Sequence, residues 1–330
     1  MEDVAARTRA LWPQAAASLG VPAAGASFRR MQVHSSKEDR RCALEVRSAG
    51  GERFVLRAEF AGSRPGRFRQ YLERHKAAAD GLKPVPGVSA PGILWHDPQK
   101  PFVLMEFAPG DTAFRELAMT EYGIGGRGDV LRRIGHAVAA LHRVSEVGGR
   151  KFWPKTFLAK VSGRAVAVRD GRLRLPKPNK FLGLCAYLHR AGRRARGHSY
   201  AGAVEHGDLH LRNILMSGET VSFIDFSNHK EAFPQRDLVK IWLANCPDQL
   251  ANGGRKPGYG LVGQADWDAF QDGYGAELTS DLLFRFFFAL QVYSSWLRLT
   301  GPAWPLEAKS MRLAEALVRV YESLLADEPG

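Results

Sequence analysis

The chain has 330 residues, 45% of them hydrophobic and 25% charged, which suits a globular protein with real cores and argues against a disordered or fibrous one. Its longest apolar run, 286–297, is too short and too polar to span a bilayer. Met1-Glu2-Asp3-Val4 lacks the basic-then-apolar order of a secretion signal, so a cytoplasmic location is expected. Cys42, Cys185 and Cys246 lie far apart in no metal spacing and read as buried free thiols.

In chain order, residues 4–19 carry apolar positions at near-helical spacing, stopped by Gly20 and Pro22, and predict one packing helix. Three strands follow at 28–33, 42–47 and 53–60, with turns at 35–39 and 49–51. In the third, the two-residue period sets Phe54, Leu56, Ala58 and Phe60 on one face and Val55, Arg57 and Glu59 on the other. Residues 67–82 have helical periodicity and carry Glu73; Pro84, Pro86 and Pro91 end that pattern. Residues 102–105 read as a buried strand running into Glu106-Phe107-Ala108-Pro109-Gly110. An amphipathic helix is expected at 130–144, with His142 packed at its end.

The formal charge of +13 is concentrated. Residues 150–196 hold fourteen Lys and Arg against the single acid Asp170, a surplus as large as that of the whole chain. Such a block is either a solvated face or a surface for anions. A short helical piece is expected within it at 181–189.

The most informative stretch runs from His206 to Asp225. His206-Gly207-Asp208-Leu209-His210 is followed by Asn213, the apolar run 214–216, a turn at 217–220, a second run at 221–224, and Asp225. If the runs pair as an antiparallel hairpin, Asn213 before it and Asp225 after it come to the same end. Two oxygen donors side by side suit a hard cation such as Mg²⁺, which takes oxygen ligands and is often shared with substrate phosphates. Asp208 is then left to accept a proton. Beyond this stretch, helices are expected at 237–243, 266–274, 278–299 and 306–325, with a glycine-rich loop at 251–263.

His-Gly-Asp-Leu-His, then Asn213 and Ile224-Asp225-Phe226, resembles the aminoglycoside phosphotransferase and choline kinase group, the small-molecule branch of the protein-kinase-like fold. The resemblance implies an α+β chain in two lobes. A small antiparallel-sheet lobe at 1–108 would bind nucleotide, and an α-rich lobe at 109–330 would carry the catalytic loop and acceptor pocket, with 150–200 as a basic insertion. It implies ATP and Mg²⁺ as cofactors, Asp208 as catalytic base, and Asn213 and Asp225 as metal ligands. Val55 would face the adenine, Arg57 the α- and β-phosphates, and the main chain at Glu106 and Ala108 the adenine edge. Glu73 would pair with Arg57. From the residues alone, Arg57 also reads as a solvated strand cation, and Glu73 as a helix-surface partner of Lys76 or Arg69. Asp237 reads as a helix cap or, by the resemblance, as an acceptor for the catalytic-loop backbone.

The implied activity is ATP-dependent phosphorylation of a hydroxyl on a small molecule. Cationic acceptors need carboxylates, and the basic segment has almost none, so a neutral or anionic sugar-like acceptor is expected. Gln235-Arg236-Asp237-Leu238-Val239-Lys240 also resembles lipopolysaccharide core kinases, which suggests a core sugar at the inner membrane face, with the basic segment on an anionic surface. A non-catalytic nucleotide- or polyanion-binding module is the rival reading, with Phe152, Trp153, Phe157, Phe181 and Tyr187 stacking on bases. Nucleic acid is disfavoured, because every residue needed for metal and base is present.

Overall fold

The structure, a computed structural model, describes residues 3–36, 40–61, 65–227, 232–243, 257–258, 262–300 and 307–328. It divides into two compact units, Met1–Asp111 with Leu215–Asn228 (unit 1) and Thr112–Ile214 with His229–Gly330 (unit 2). The first crossing falls three residues beyond the boundary expected after Ala108, and residues 215–228 group with unit 1.

The chain opens with two helices, α1 (Val4–Arg9) and α2 (Trp12–Leu19), where the periodicity predicts one. Pro13 is the cause, since proline fits the first turn of a helix but cannot extend one from upstream. Gly20 closes α2 in a left-handed conformation (φ 69°). Trp12 is buried against the rings of Phe28 and Phe54, and its indole N–H donates to the Ala23 carbonyl at 3.1 Å.

Strands β1 (Ser27–Ser35), β2 (Arg40–Arg47) and β3 (Arg53–Ala61) pair antiparallel. Lys37 to Asp39, most of the expected first turn, lie outside the described residues. Then come α3 (Pro65–Leu82), β4 (Val88–Ser89), β5 (Ile93–His96) and β6 (Phe102–Glu106), giving a five-stranded sheet of order β1-β2-β3-β6-β5. The strand alternation places both faces of β3. Phe54, Leu56 and Ala58 join Trp12 in one core, whereas Val55 packs with Phe68, Tyr71 and Leu72 of α3.

After β7 (Asp111–Thr112), unit 2 continues with α4 (Ala113–Thr120) and α5 (Arg127–Val144). An antiparallel ribbon of β8 (Glu146–Lys151) and β9 (Ser199–Ala203) brackets α6 (Lys155–Arg169) and α7 (Pro178–Ala195). The expected helical piece is therefore the middle of α7, and α6 is a second helix. Gly163 sits inside α6 with open space around its missing side chain, so it costs propensity without breaking the helix.

A 3-10 turn at Leu211–Asn213 leads into the hairpin of β10 (Ile214–Ser217) and β11 (Thr220–Phe223), turned by Gly218 at positive φ. In unit 1, β11 also pairs in parallel with β4. Unit 2 then adds α8 (Pro234–Leu243), β12 (Pro257–Gly258) with β13 (Val262–Gly263), α9 (Gln264–Tyr274), α10 (Leu282–Leu297) and α11 (Ala308–Ala326). Most of the glycine-rich stretch, and Cys246, lie outside the described residues. Phe284, Phe286, Phe287, Phe288, Tyr293 and Trp296 of α10 are all buried, as the helix's continuous apolar character requires. Among the described residues no helix is long and apolar enough to cross a membrane.

His75 on α3 carries the clearest pH signature of unit 1. It is 1% exposed, its Nε2 lies 2.6 Å from the Pro91 carbonyl, and its Nδ1 is buried with no hydrogen-bond partner among the described residues. Burial, and to a smaller extent Arg57, pulls its pKa below 6.5; the Pro91 carbonyl and Asp225 oppose that pull. The unfolded chain therefore binds the proton first. Stability should be intact above pH 6.5 and decline as pH falls below it, by up to about 1.4 kcal/mol per pH unit until the folded pKa is passed. Urea denaturation between pH 7 and 5 should show this slope in the wild type and a flatter one in His75→Gln, whose amide can still donate to Pro91.

Candidate active site

In unit 2 the loop from His206 to Asn213 is held by α8. Asp237, in the first turn of that helix, is fully buried, and its carboxylate accepts the N–H of His206 at 2.6 Å and of Gly207 at 2.9 Å. Burial works to raise its pKa. His142, then His206 and the Gly207 N–H, outweigh that and hold the carboxyl below its ordinary value. His142 Nε2 is 3.5 Å from Asp237 Oδ2, and its Nδ1 meets the Tyr274 hydroxyl at 3.0 Å, so this histidine is packed beneath the loop. Of the two readings of Asp237, the backbone acceptor is the one realised.

Gly207 has φ 80°, a conformation L side chains rarely adopt, and this sets the direction in which the loop runs on to Asp208. Lys240, one turn along α8, donates to the Gly207 carbonyl and to Asp208 Oδ1 at 3.2 Å. The Asp208 side chain is 48% exposed, and its Oδ2 lies 3.8 Å from His210 Nε2. Asn213 donates its amide N–H to the Asp208 carbonyl at 2.9 Å, and its amide oxygen takes no hydrogen bond among the described residues. Asp208 and Asn213 are thus brought together, the carboxylate and the amide oxygen both available.

In unit 1, Asp225 has a left-handed backbone (φ 62°), unusual for a residue with a side chain and most often kept where function needs it. Its Oδ1 accepts Arg57 Nη1 at 2.5 Å. Arg57 is buried, with Nη2 3.4 Å from Glu59 and the guanidinium 4.2 Å over the Tyr71 ring. Burial disfavours its charge, but Tyr71, Asp225 and Glu59 more than offset this and raise its pKa, so it stays a cation. The segment after Asp225 rests on α3: Arg74 donates to the Ser227 carbonyl at 3.0 Å, and His75 meets the Phe226 ring edge-on at 5.2 Å.

The expected pairing of Glu73 with Arg57 is not found. Glu73 is exposed on α3, and Arg57 takes its acids from its own strand and from Asp225. The helix-surface alternative also fails for Lys76, which pairs with Asp80. Glu73 and Glu106 instead line a separate cavity of about 1080 Å³ between α3 and β5, where Glu106 Oε2 accepts the Gly92 N–H at 2.8 Å. The Glu106 main-chain N–H donates to Gly92, and Ala108 is half-buried just beyond β6.

Lys240 and Glu59 are site residues the sequence reading missed. The three-residue step from Asp237 to Lys240 on a helix would have found the first, and the strand alternation already put Glu59 on the Arg57 face.

The sequence matches the phosphotransferase enzyme family over residues 22–272. No curated protein matches it significantly. Among solved structures, a choline/ethanolamine kinase family protein from Mesorhizobium loti shares 15% identity, covering 99% of this chain and 96% of that one at a TM-score of 0.60. A thermostable mutant of an aminoglycoside phosphotransferase shares 15%, covering 97% and 100% at 0.56. An amicoumacin kinase in complex with AMP-PNP, Ca²⁺ and its substrate shares 13%, covering 97% and 96% at 0.57. The fold is protein-kinase-like, with an antiparallel-sheet unit and a helix-rich unit.

Asp237→Ala should cost about 3 kcal/mol, since it leaves two buried N–H groups without an acceptor. Because the carboxyl is held below its ordinary 3.8, that contribution is present above about pH 4 and is lost as pH falls through the folded value. Urea midpoints of the two proteins should therefore differ widely at pH 7, and the difference should narrow as pH is lowered below about 4.

Proposed function

Because the chain belongs to the phosphotransferase enzyme family, we propose that it transfers the γ-phosphoryl group of ATP to a hydroxyl of a small neutral or anionic, sugar-like acceptor, with Mg²⁺ as cofactor, in the cytoplasm. The observation that carries this reading is Asp208: a half-exposed carboxylate, oriented by Lys240 on a loop clamped by Asp237.

Phosphoryl transfer asks a protein for positioning and charge neutralisation more than for covalent chemistry. Asp208 orients the acceptor hydroxyl and takes its proton as the new O–P bond forms and the bond to ADP breaks. Lys240 keeps the carboxylate aimed and offsets charge beside it. Arg57, kept cationic although buried, grips the phosphates that stay on the nucleotide. Val55, on the same strand face, offers apolar surface to the adenine, and the main chain at Glu106 and Ala108 offers it a hydrogen-bonding edge. The donors suit a hard cation: the Asn213 amide oxygen has no competing bond among the described residues, and Asp225 supplies a carboxylate. When bound, Mg²⁺ neutralises charge on the phosphates. Glu73 has no part in this arrangement.

Asp208→Asn should lower kcat by about 10²–10⁴-fold, the range for losing a general base, while nucleotide affinity changes little. ATP consumption on pooled sugars, sugar acids and amino alcohols, together with nucleotide titration, reads both effects; unchanged turnover overturns the assignment. Lys240→Met should cut kcat by about tenfold or more with the fold retained, the scale of one charge-assisted contact. Asp225→Ala should remove the Mg²⁺ dependence of nucleotide binding, measured by titration with and without the metal.

A further inference from the structure

Three helices of unit 2, α6, α8 and α10, enclose a cavity of about 210 Å³. Its lining includes the rings of Phe157, Phe287 and Tyr293 and the polar side chains of Lys160, Arg236 and Gln291. No Asp or Glu is among its described lining residues. The walls are pinned: Phe157 meets Phe287 edge-on at 5.6 Å, and the Tyr293 hydroxyl donates to the Lys160 carbonyl at 3.5 Å. Burial pushes the Tyr293 pKa up to about 12 while Arg164, one turn beyond Lys160 on α6, pulls against it, so this hydroxyl keeps its proton.

Two ties join the cavity to the loop bearing Asp208. Arg236 Nη1 lies 3.6 Å from Glu205, three residues upstream of Asp208, and Lys240, four residues along α8 from Arg236, bonds Asp208 itself. The two cations differ in what they already hold. Arg236 has Glu205, whereas Lys160 has no acid within ion-pair distance among the described residues. Lys160, which is exposed, and Arg236, which is half-buried, both line the cavity, so an anion there meets two cations and an amine is repelled by both.

We infer that this cavity takes the acid group of the acceptor, a carboxylate or phosphate carried beside a ring or other apolar face, with Lys160 and Arg236 reading the charge. The inference rests on the phosphotransferase reading and narrows its acceptor from neutral or anionic to anionic. A polycationic acceptor is excluded by the same two residues.

The test uses four matched probes, glucose, glucosamine, glucuronate and glucose 6-phosphate, with calorimetric binding and ATP consumption both measured on the full chain. The acids should bind about tenfold or more tightly than glucose, the equivalent of one partly screened charge pair, and glucosamine should bind worst. Lys160→Glu, at an exposed position on α6, should erase the margin and raise KM for the acids with kcat nearly unchanged. Arg236→Gln is a second variant, needed because its loss also bares Glu205. Comparing glucuronate with glucose 6-phosphate tells carboxylate from phosphate. No binding by either acid, an equal or better amine, or an unaltered margin in Lys160→Glu overturns the inference. Transfer to glucose or glucosamine without an acid preference leaves the phosphotransferase reading standing and removes this one. Lys160-dependent acid binding with no ATP consumed on any probe keeps the anion site and removes transfer to its ligand.

Discussion

A carboxylate shut away from water is tolerable only where its lone pairs are filled, and the way Asp237 fills them shapes the catalytic half of unit 2. Its donors are consecutive backbone N–H groups of His206 and Gly207. Two successive N–H groups of an extended strand point to opposite sides, so the chain must leave the extended form at His206 for both to reach one side chain, and the positive φ of Gly207 then sets the direction in which it runs on to Asp208. The same helix then returns through Lys240 to the Gly207 carbonyl and the Asp208 carboxylate. One residue, Gly207, is thus gripped at both its N–H and its C=O, by residues three apart on α8. The side chain that follows has little freedom left, and that is what preorganisation of a proton acceptor requires.

Unit 1 solves a different electrostatic problem. Burying the Arg57 cation is costly, and the acids that offset the cost come from two directions, Glu59 along its own strand and Asp225 at the end of the hairpin. The Tyr71 face beneath adds a cation–π contact. Tyr71, Arg74 and His75 lie at helical spacing, so one face of α3 supports both the guanidinium and the segment 225–227. The left-handed backbone at Asp225 is held by this surround. A carboxylate has about four lone-pair sites, so a bond to Arg57 at Oδ1 does not by itself exhaust Asp225 as a metal ligand.

What was legible in the sequence was local. The hairpin between Asn213 and Asp225, the two faces of β3 and the buried aromatic residues of α10 follow from periods and turn residues within a few positions, and they appear as read. What was not legible depended on which surfaces meet. Glu73 has the right spacing on α3 for a partner of Arg57, but the helix turns it outward and presents Tyr71 instead. Residues 4–19 show one period across two helices, because a hydrophobic repeat does not register the interruption at Pro13. α6 was hidden by Gly163, whose propensity cost of about 1 kcal/mol is a weak argument against a helix packed on a neighbour.

Net charge was the least specific of the signals, because a surplus does not say which cations are already engaged. In the basic segment Lys180, Arg190 and Arg194 of α7 are held by Glu322 and Glu328 near the end of the chain, and Arg172 is held by Asp170. These pairs are largely exposed and add little stability each, but they commit their cations and fasten α7 to the C-terminal segment. The bases of α6, which are Lys155, Lys160, Arg164 and Arg169, have no acid partner among the described residues. The two helices therefore divide the surplus: α7 commits three of its four bases to the protein's own acids, whereas the bases of α6 have none among the described residues. Of the α6 bases it is Lys160 that lines a recess, beside the aromatic rings and one helix away from the lysine that holds Asp208. A block that in sequence reads as a uniform basic face thus resolves into a structural clamp and a short stretch of helix suited to choosing an anion.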